Sequence, residues 1–129
     1  MPYIYPDAEA LVKTPPIPNV GTGHCVPLVQ QYARCPQYSG WRQGAAVKDN
    51  TKIALGTAIA TFVNGKYPNA PTGNHAALFI GQDEDGIWVV DQYKDSGGIK
   101  GRHLRFKGMK NGAYVDPSNN GDAFSVIEP

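Results

Sequence analysis

The stretch GTGHCVPLVQQYARCP, residues 21–36, decides how the rest of the chain is read. Val26 to Arg34 reads as a helix: Pro27 falls in its first turn, where a missing N–H costs nothing, and Pro36 stops it. Val26, Val29 and Ala33, with Leu28 and Tyr32, recur at the spacing of one apolar helix face. Gly21-Thr22-Gly23 supplies a flexible turn ahead of it. Cys25 then stands at the N-terminal edge, in or next to the cap position. Unpaired N–H groups and the helix dipole stabilise a thiolate there. The same N–H groups can receive the oxyanion of a tetrahedral intermediate.

Cys35, the second cysteine, lies ten residues further on. Ten helical residues rise about 15 Å, whereas a disulfide needs Cα atoms within about 7 Å. Two free thiols are therefore expected, with Cys35 a core or surface thiol.

Moving outward, Asp7 is placed to cap a short helix from Ala8 to Lys13, which Pro15, Pro16 and Pro18 end. Residues 36–56 read as irregular, with Trp41 as their anchor to the core. Strands are expected at Ala58–Asn64, Ala76–Ile80, Ile87–Tyr93, His103–Lys107 and Ala123–Ile127. The short link Gln82-Asp83-Glu84-Asp85-Gly86 makes an antiparallel hairpin of the second and third. Their nearly continuous apolar character places them centrally, covered on both faces. The reading is one α+β domain over residues 1–129, a helix in front and a sheet behind.

Two further residues join Cys25. His75 stands where a Gly- and Asn-rich loop enters a strand, and Asp91 interrupts the apolar run IWVVDQY. In an antiparallel pair the register decides whether they meet. If paired residue numbers sum to 166, His75 faces Asp91 directly; if to 168, Asp91 is its diagonal neighbour on the same face. An odd register substitutes Gln92. Either side chain can accept the imidazole N–H and hold the tautomer. Asp91 is favoured because a carboxylate also stabilises the imidazolium of a thiolate–imidazolium pair. His24, next to the cysteine, is a further candidate for shaping the site, and His103 a spare polar partner.

Composition bounds the alternatives. The chain has 129 residues, a formal charge of +1 and 18% charged residues, which leaves no basic footprint for nucleic acid. Its 41% apolar share, with seven Tyr, four Phe and two Trp, argues against disorder. No apolar run approaches the roughly 20 residues that span a bilayer, so no membrane insertion is expected. MPYIYPDAEA lacks the basic flank and apolar core of a cleaved signal. Other motifs fail on inspection. Gly21-Thr22-Gly23 lacks the third glycine of a dinucleotide loop, where Val26 stands, and Gly65-Lys66 is followed by Tyr67 rather than Ser or Thr. The calcium-loop mimic starting at Asp116 would end on Ile127, which cannot ligate, and no zinc spacing occurs.

With the order GTGHCVPLVQ, GNHAALFIGQ and GIWVVDQY, the chain resembles the papain-like NlpC/P60 and CHAP cell-wall amidases. More narrowly it is similar to the small type VI secretion amidase effectors, with the third of their families as the expected one. The resemblance implies a papain-like NlpC/P60 fold, its N-terminal helix carrying Cys25 against a central antiparallel sheet. It implies catalysis by Cys25, His75 and Asp91, with no metal or organic cofactor. Many NlpC/P60 enzymes have a second His as third residue, whereas Asp91-Gln92 stands here, nearer the CHAP pattern. The implied reaction is hydrolysis of an amide in peptidoglycan stem peptides, and more narrowly of the D-alanine–diaminopimelate crosslink. Export without a cleaved signal, action in the periplasm of a Gram-negative target, a monomeric state and an immunity protein that covers the cleft are further expectations. Two other readings fit the same residues: a phage or autolysin-type amidase, and a catalytically silent papain-like peptide-binding module.

Overall fold

Helix α1 spans Cys25–Ala33 in the computed structural model, which describes residues 1–129. It starts one residue earlier than the apolar pattern predicts, so that Cys25 is its first helical residue and His24 its extended N-cap. It ends at Ala33, one residue short of the expected Arg34, on a left-handed cap just ahead of Pro36. Arg34 adopts a left-handed φ of 61°, and the N–H groups of Arg34 and Cys35 both turn back to the Val29 carbonyl. Leu28, Val29 and Ala33 are buried, each large side chain contributing about 1.5–3 kcal/mol by leaving water.

Eight strands follow: β1 Arg42–Ala46, β2 Ala58–Thr61, β3 Ala76–Gln82, β4 Gly86–Asp91, β5 Lys100–Arg105, β6 Met109–Lys110, β7 Ala113–Tyr114 and β8 Phe124–Glu128. Six of them form one antiparallel sheet in the order β1-β8-β2-β3-β4-β5, while β6 and β7 make a separate two-stranded ribbon. The expected hairpin is β3–β4, near the middle of the sheet. On one face Leu78, Val90, Ala58 and Ala60 pack with Leu28 and Val29 of α1. On the other, Ile59, Ala77, Phe79, Val89, Leu104 and Phe124 form a second core with Val47 and Ala123. Both faces of the hairpin are covered, as its unbroken apolar sequence requires.

The differences from the sequence reading have local causes. The strand expected at Ala58–Asn64 stops at Thr61, because Val63 and Lys66 close a tight turn in which Asn64 has φ 51°. The strand expected at His103–Lys107 runs instead over Lys100–Arg105, whose alternation of charged residues and glycine gives no apolar signal. Strand β1 was expected to be irregular. It is a mostly exposed sheet edge with a bulge between Gln43 and Ala46, so it carries no buried face to read. Residues Ala8–Leu11 form only a 3-10 turn, and the Asp7 side chain makes no cap bond.

One irregularity positions the site. Nearest its turn, the β3–β4 hairpin pairs Gln82 with Ile87 and Gly81 with Trp88; beyond it, Phe79 pairs with Val89 and Leu78 with Val90. The register slips by one at a bulge between Phe79 and Gly81, where Gly81 has φ 154°. Had the turn's register continued, Gln92 would share the face of His75. The bulge restores the even register, and Asp91 takes that place.

Candidate active site

His75 leads into β3, and Thr61 of the neighbouring strand fixes its backbone. The His75 N–H donates to Thr61 Oγ1 at 3.0 Å, and the Thr61 N–H donates to the His75 carbonyl at 3.0 Å. His75 is buried, and its imidazole rests edge-on against Phe124 at 6.3 Å between centroids. Its Nε2 lies 2.7 Å from Asp91 Oδ2. A carboxylate only accepts, so Nε2 carries the hydrogen and Nδ1 is the nitrogen left for the thiol of Cys25 beside it. The sequence-predicted trio therefore comes together, in the arrangement expected for an even register.

Asp91 is fully buried. Arg102 of β5 completes its hydrogen bonding: Nη2 donates to Oδ2 at 2.6 Å, and Nε donates to Oδ2 at 2.9 Å and Oδ1 at 3.1 Å. The guanidinium also donates to Asn119 Oδ1 at 3.2 Å and lies 5.0 Å from the Tyr93 ring centroid. Sequence reasoning missed Arg102. A carboxylate inside an apolar strand calls for a cation, but placing β5 three residues late hid the register that supplies it.

Cys25 is half-buried at the head of α1, its Sγ 3.5 Å from the Tyr67 hydroxyl. Tyr67 is itself held by the Asn74 amide at 3.4 Å and by packing on Trp41, with 5.0 Å between ring centroids. Its place in a Pro-, Asn- and Gly-rich loop gave no periodic signal, and it too was missed. The turn leading to Cys25 needs glycine: Gly21 and Gly23 have φ of 58° and 88°, and a Cβ on Gly21 would lie 2.8 Å from Pro27 Cβ.

The charges reinforce one another. Burial pushes the Cys25 thiol up, but the His75 imidazole, the Tyr67 hydroxyl and the Ala76 N–H outweigh it, and the net shift is downward. For His75, burial acts downward; the Asp91 and Cys25 partners win and lift it to about 9. Burial likewise works against ionised Asp91, yet His75 and Arg102 hold its carboxyl below the usual range. Each shift favours the charged form of its group, so the pair is biased toward a thiolate beside an imidazolium. Burial, then the Cys25 thiolate, raise Tyr67, which stays a neutral hydroxyl and hence a hydrogen-bond donor.

The remaining candidates sit elsewhere. Gln92 is fully buried on the opposite side of β4 from Asp91, bonded to the backbone of Val20 and His24, and so does not reach His75. His24 is exposed on the cleft wall and makes no side-chain cap bond. His103 pairs with Asp83 at 3.1 Å and stacks on Trp88 at 4.5 Å; it is no partner of the trio. Cys35 is buried and unbridged.

Above Cys25 and His75 opens a cleft of about 1200 Å3, walled by the 69–74 loop, Tyr38, Tyr93, Ser118 and Asn119. A thiol at a helix head, an oriented imidazole and an open cleft suit nucleophilic acyl transfer. The family model described as "Domesticated amidase effector 2" matches residues 16–127. This chain belongs to that family. It is 48% identical to the "Type VI secretion amidase effector 2 protein" of Salmonella typhi, over 99% of this chain and 100% of that protein. It is 36% identical to "Domesticated amidase effector 2" of Ixodes scapularis, over 85% of this chain and 74% of that protein. A solved structure, "Type 6 secretion amidase effector 2 (Tae2)", superposes with a TM-score of 0.88 at 46% identity, covering 98% of this chain and 94% of that one. The papain-like amidase fold and the amidase activity expected from the sequence hold for this family. The relatives carry the number two, where the sequence resemblance had been drawn to the third family.

Proposed function

We propose that this amidase effector hydrolyses an amide in the peptide stems of peptidoglycan, with Cys25 as nucleophile, His75 as acid and base, and Asp91 as the group that orients His75. The observation that carries the reading is that Cys25, at the head of α1, and His75, whose Nε2 is held 2.7 Å from Asp91 Oδ2, line the same open cleft. The Cys25 thiolate attacks the amide carbonyl, and its oxygen becomes an oxyanion facing the first-turn N–H groups of α1 and the Tyr67 hydroxyl. The intermediate collapses as His75 gives its proton to the departing amine, leaving a thioester on Cys25. His75, now neutral, takes a proton from water as that water attacks the thioester. The acid leaves, and the thiolate–imidazolium pair is restored. Asp91 stays ionised throughout, held so by Arg102.

The narrower reading is the crosslink between D-alanine and diaminopimelate, cut in the periplasm of a Gram-negative target by a monomer exported without a cleaved signal. An immunity protein seated in the cleft is part of the same reading. No helix is long and apolar enough to cross a membrane. Purified sacculi incubated with the wild type should release soluble fragments whose masses name the bond, and Cys25→Ala should release none. Fragments that persist with Cys25→Ala would refute the assignment of the nucleophile, and intact crosslinked fragments would refute the narrower bond.

A further inference from the structure

Gln92, the neighbour of Asp91, takes no part in the proposed reaction steps. Gln92 is an amide buried completely, at the end of the strand that carries the triad's carboxylate. Adjacent residues at a strand point to opposite faces, and the two side chains do part company there. Asp91 meets His75 and Arg102, whereas Gln92 enters the turn that precedes α1.

Within that turn the Gln92 amide behaves like a backbone peptide. Its Oε1 accepts from the Val20 N–H at 2.8 Å, and its Nε2 donates to the Val20 carbonyl at 2.9 Å and to the His24 carbonyl at 2.7 Å. The two carbonyls fix which end is nitrogen, and both of its hydrogens are used. The turn needs such a clamp. Its Gly21 and Gly23 are conformationally permissive, and internally it holds one backbone bond, Gly23 N–H to the Val20 carbonyl at 3.1 Å. Asn19, just before the turn, adds two further braces: its amide donates to the Gly23 carbonyl at 3.4 Å and to the carbonyl of Tyr93, just past β4, at 2.9 Å. His24, the far residue of the clamp, is the N-cap of the helix that begins with Cys25.

We propose that Gln92 is a positioning residue for the nucleophile: it fixes the turn 20–24, and through it the place of Cys25 relative to His75. Asp91 and Gln92 then act as a two-sided brace, one side setting the imidazole and the other the thiol. The inference rests on Cys25 and His75 being the reacting pair, but its first test, alkylation of the thiol, needs no substrate.

The test compares the full-length wild type with Gln92→Glu and Gln92→Asn. Glutamate keeps an acceptor for Val20 but loses both donors and turns a carboxylate on two carbonyls. Asparagine keeps the amide and falls one methylene short. Alkylation of Cys25 by iodoacetamide, followed by mass across pH, reports how well the imidazole holds the thiolate. Alkylation at pH 7 should slow about tenfold in Gln92→Glu, and its pH midpoint should rise by about one unit. Gln92→Asn should move the same way by less, with native circular dichroism. On a soluble crosslinked stem peptide, kcat should fall while KM stays close to wild type. Should Gln92→Glu fail to fold, Gln92→Asn carries the same measurement. A lowered melting temperature with an unchanged alkylation profile and kcat would make Gln92 merely structural and overturn the proposal. Altered alkylation in the variants of a protein that never cuts sacculi would instead keep the brace and sink the amidase assignment.

Discussion

The two ends of helix α1 each have a cysteine, and the two thiols have opposite fates. At the N-terminal end, Cys25 is half-buried beside His75 and Tyr67, and its pKa is pushed down. Just past the C-terminal end, Cys35 is buried among apolar side chains, and burial alone pushes it up to about 12. The residue type is the same, so the opposite shifts come from the surroundings: hydrogen-bond donors and an imidazole partner at one end, desolvation without compensation at the other.

Exchanging the thiols for methyl groups gives the largest contrast. Cys25→Ala should lower release of soluble fragments from sacculi by about 10^4-fold or more. Cys35→Ala should leave that rate unchanged. Next comes the partner that makes Cys25 unlike Cys35. Asp91→Asn should lower kcat by on the order of 10^2- to 10^4-fold, because the imidazole loses its orienting carboxylate. Its alkylation midpoint should move upward, toward the behaviour of a thiol with no cation. A midpoint at the wild-type value would break the link between Asp91 and the thiolate.

Tyr67→Phe should cost less, about 10- to 100-fold in kcat with KM little changed, since one hydroxyl donor of several is removed. The pH profile sharpens the same contrast. The proposed mechanism needs Cys25 deprotonated and His75 protonated. Activity should therefore rise through the lowered thiol pKa and fall as His75 loses its proton near pH 9. The raised His75 pKa also stabilises the fold. That contribution is complete below about pH 6.5, the unfolded value, and fades as pH rises through about 9. The smallest effect belongs to the quiet end: Cys35→Ala should cost about 1 kcal/mol of stability by thermal denaturation. In the folded wild type Cys35 should resist alkylation that Cys25 accepts; equal rates would dissolve the comparison.

Much of this was legible because it is local. Pro27, the apolar spacing after it and the glycines before it fixed both the helix and the position of Cys25 at its head. The continuous apolar character of residues 76–80 and 87–90, joined by a short polar link, was enough for a central hairpin. Strand β1 and the start of β5 were not legible, because their exposed, charged or glycine-containing segments are strands only through the neighbours they pair with. Tyr67 and Arg102 were hidden for a related reason: each reaches the site across the fold, from a loop and from the edge strand β5.

The sequence by itself determined the helix head, the hairpin and the short set of polar residues able to do chemistry there. It left the third residue as a choice between Asp91 and Gln92, since alternation along a strand says that they face apart but not which way either faces. Only the folded hairpin decided which of the two meets His75. The bulge between Phe79 and Gly81 slips the register by one, turning Asp91 toward His75 and Gln92 toward the turn before Cys25. A one-residue shift between paired strands reverses every side chain beyond it, and that pairing is a property of two strands together.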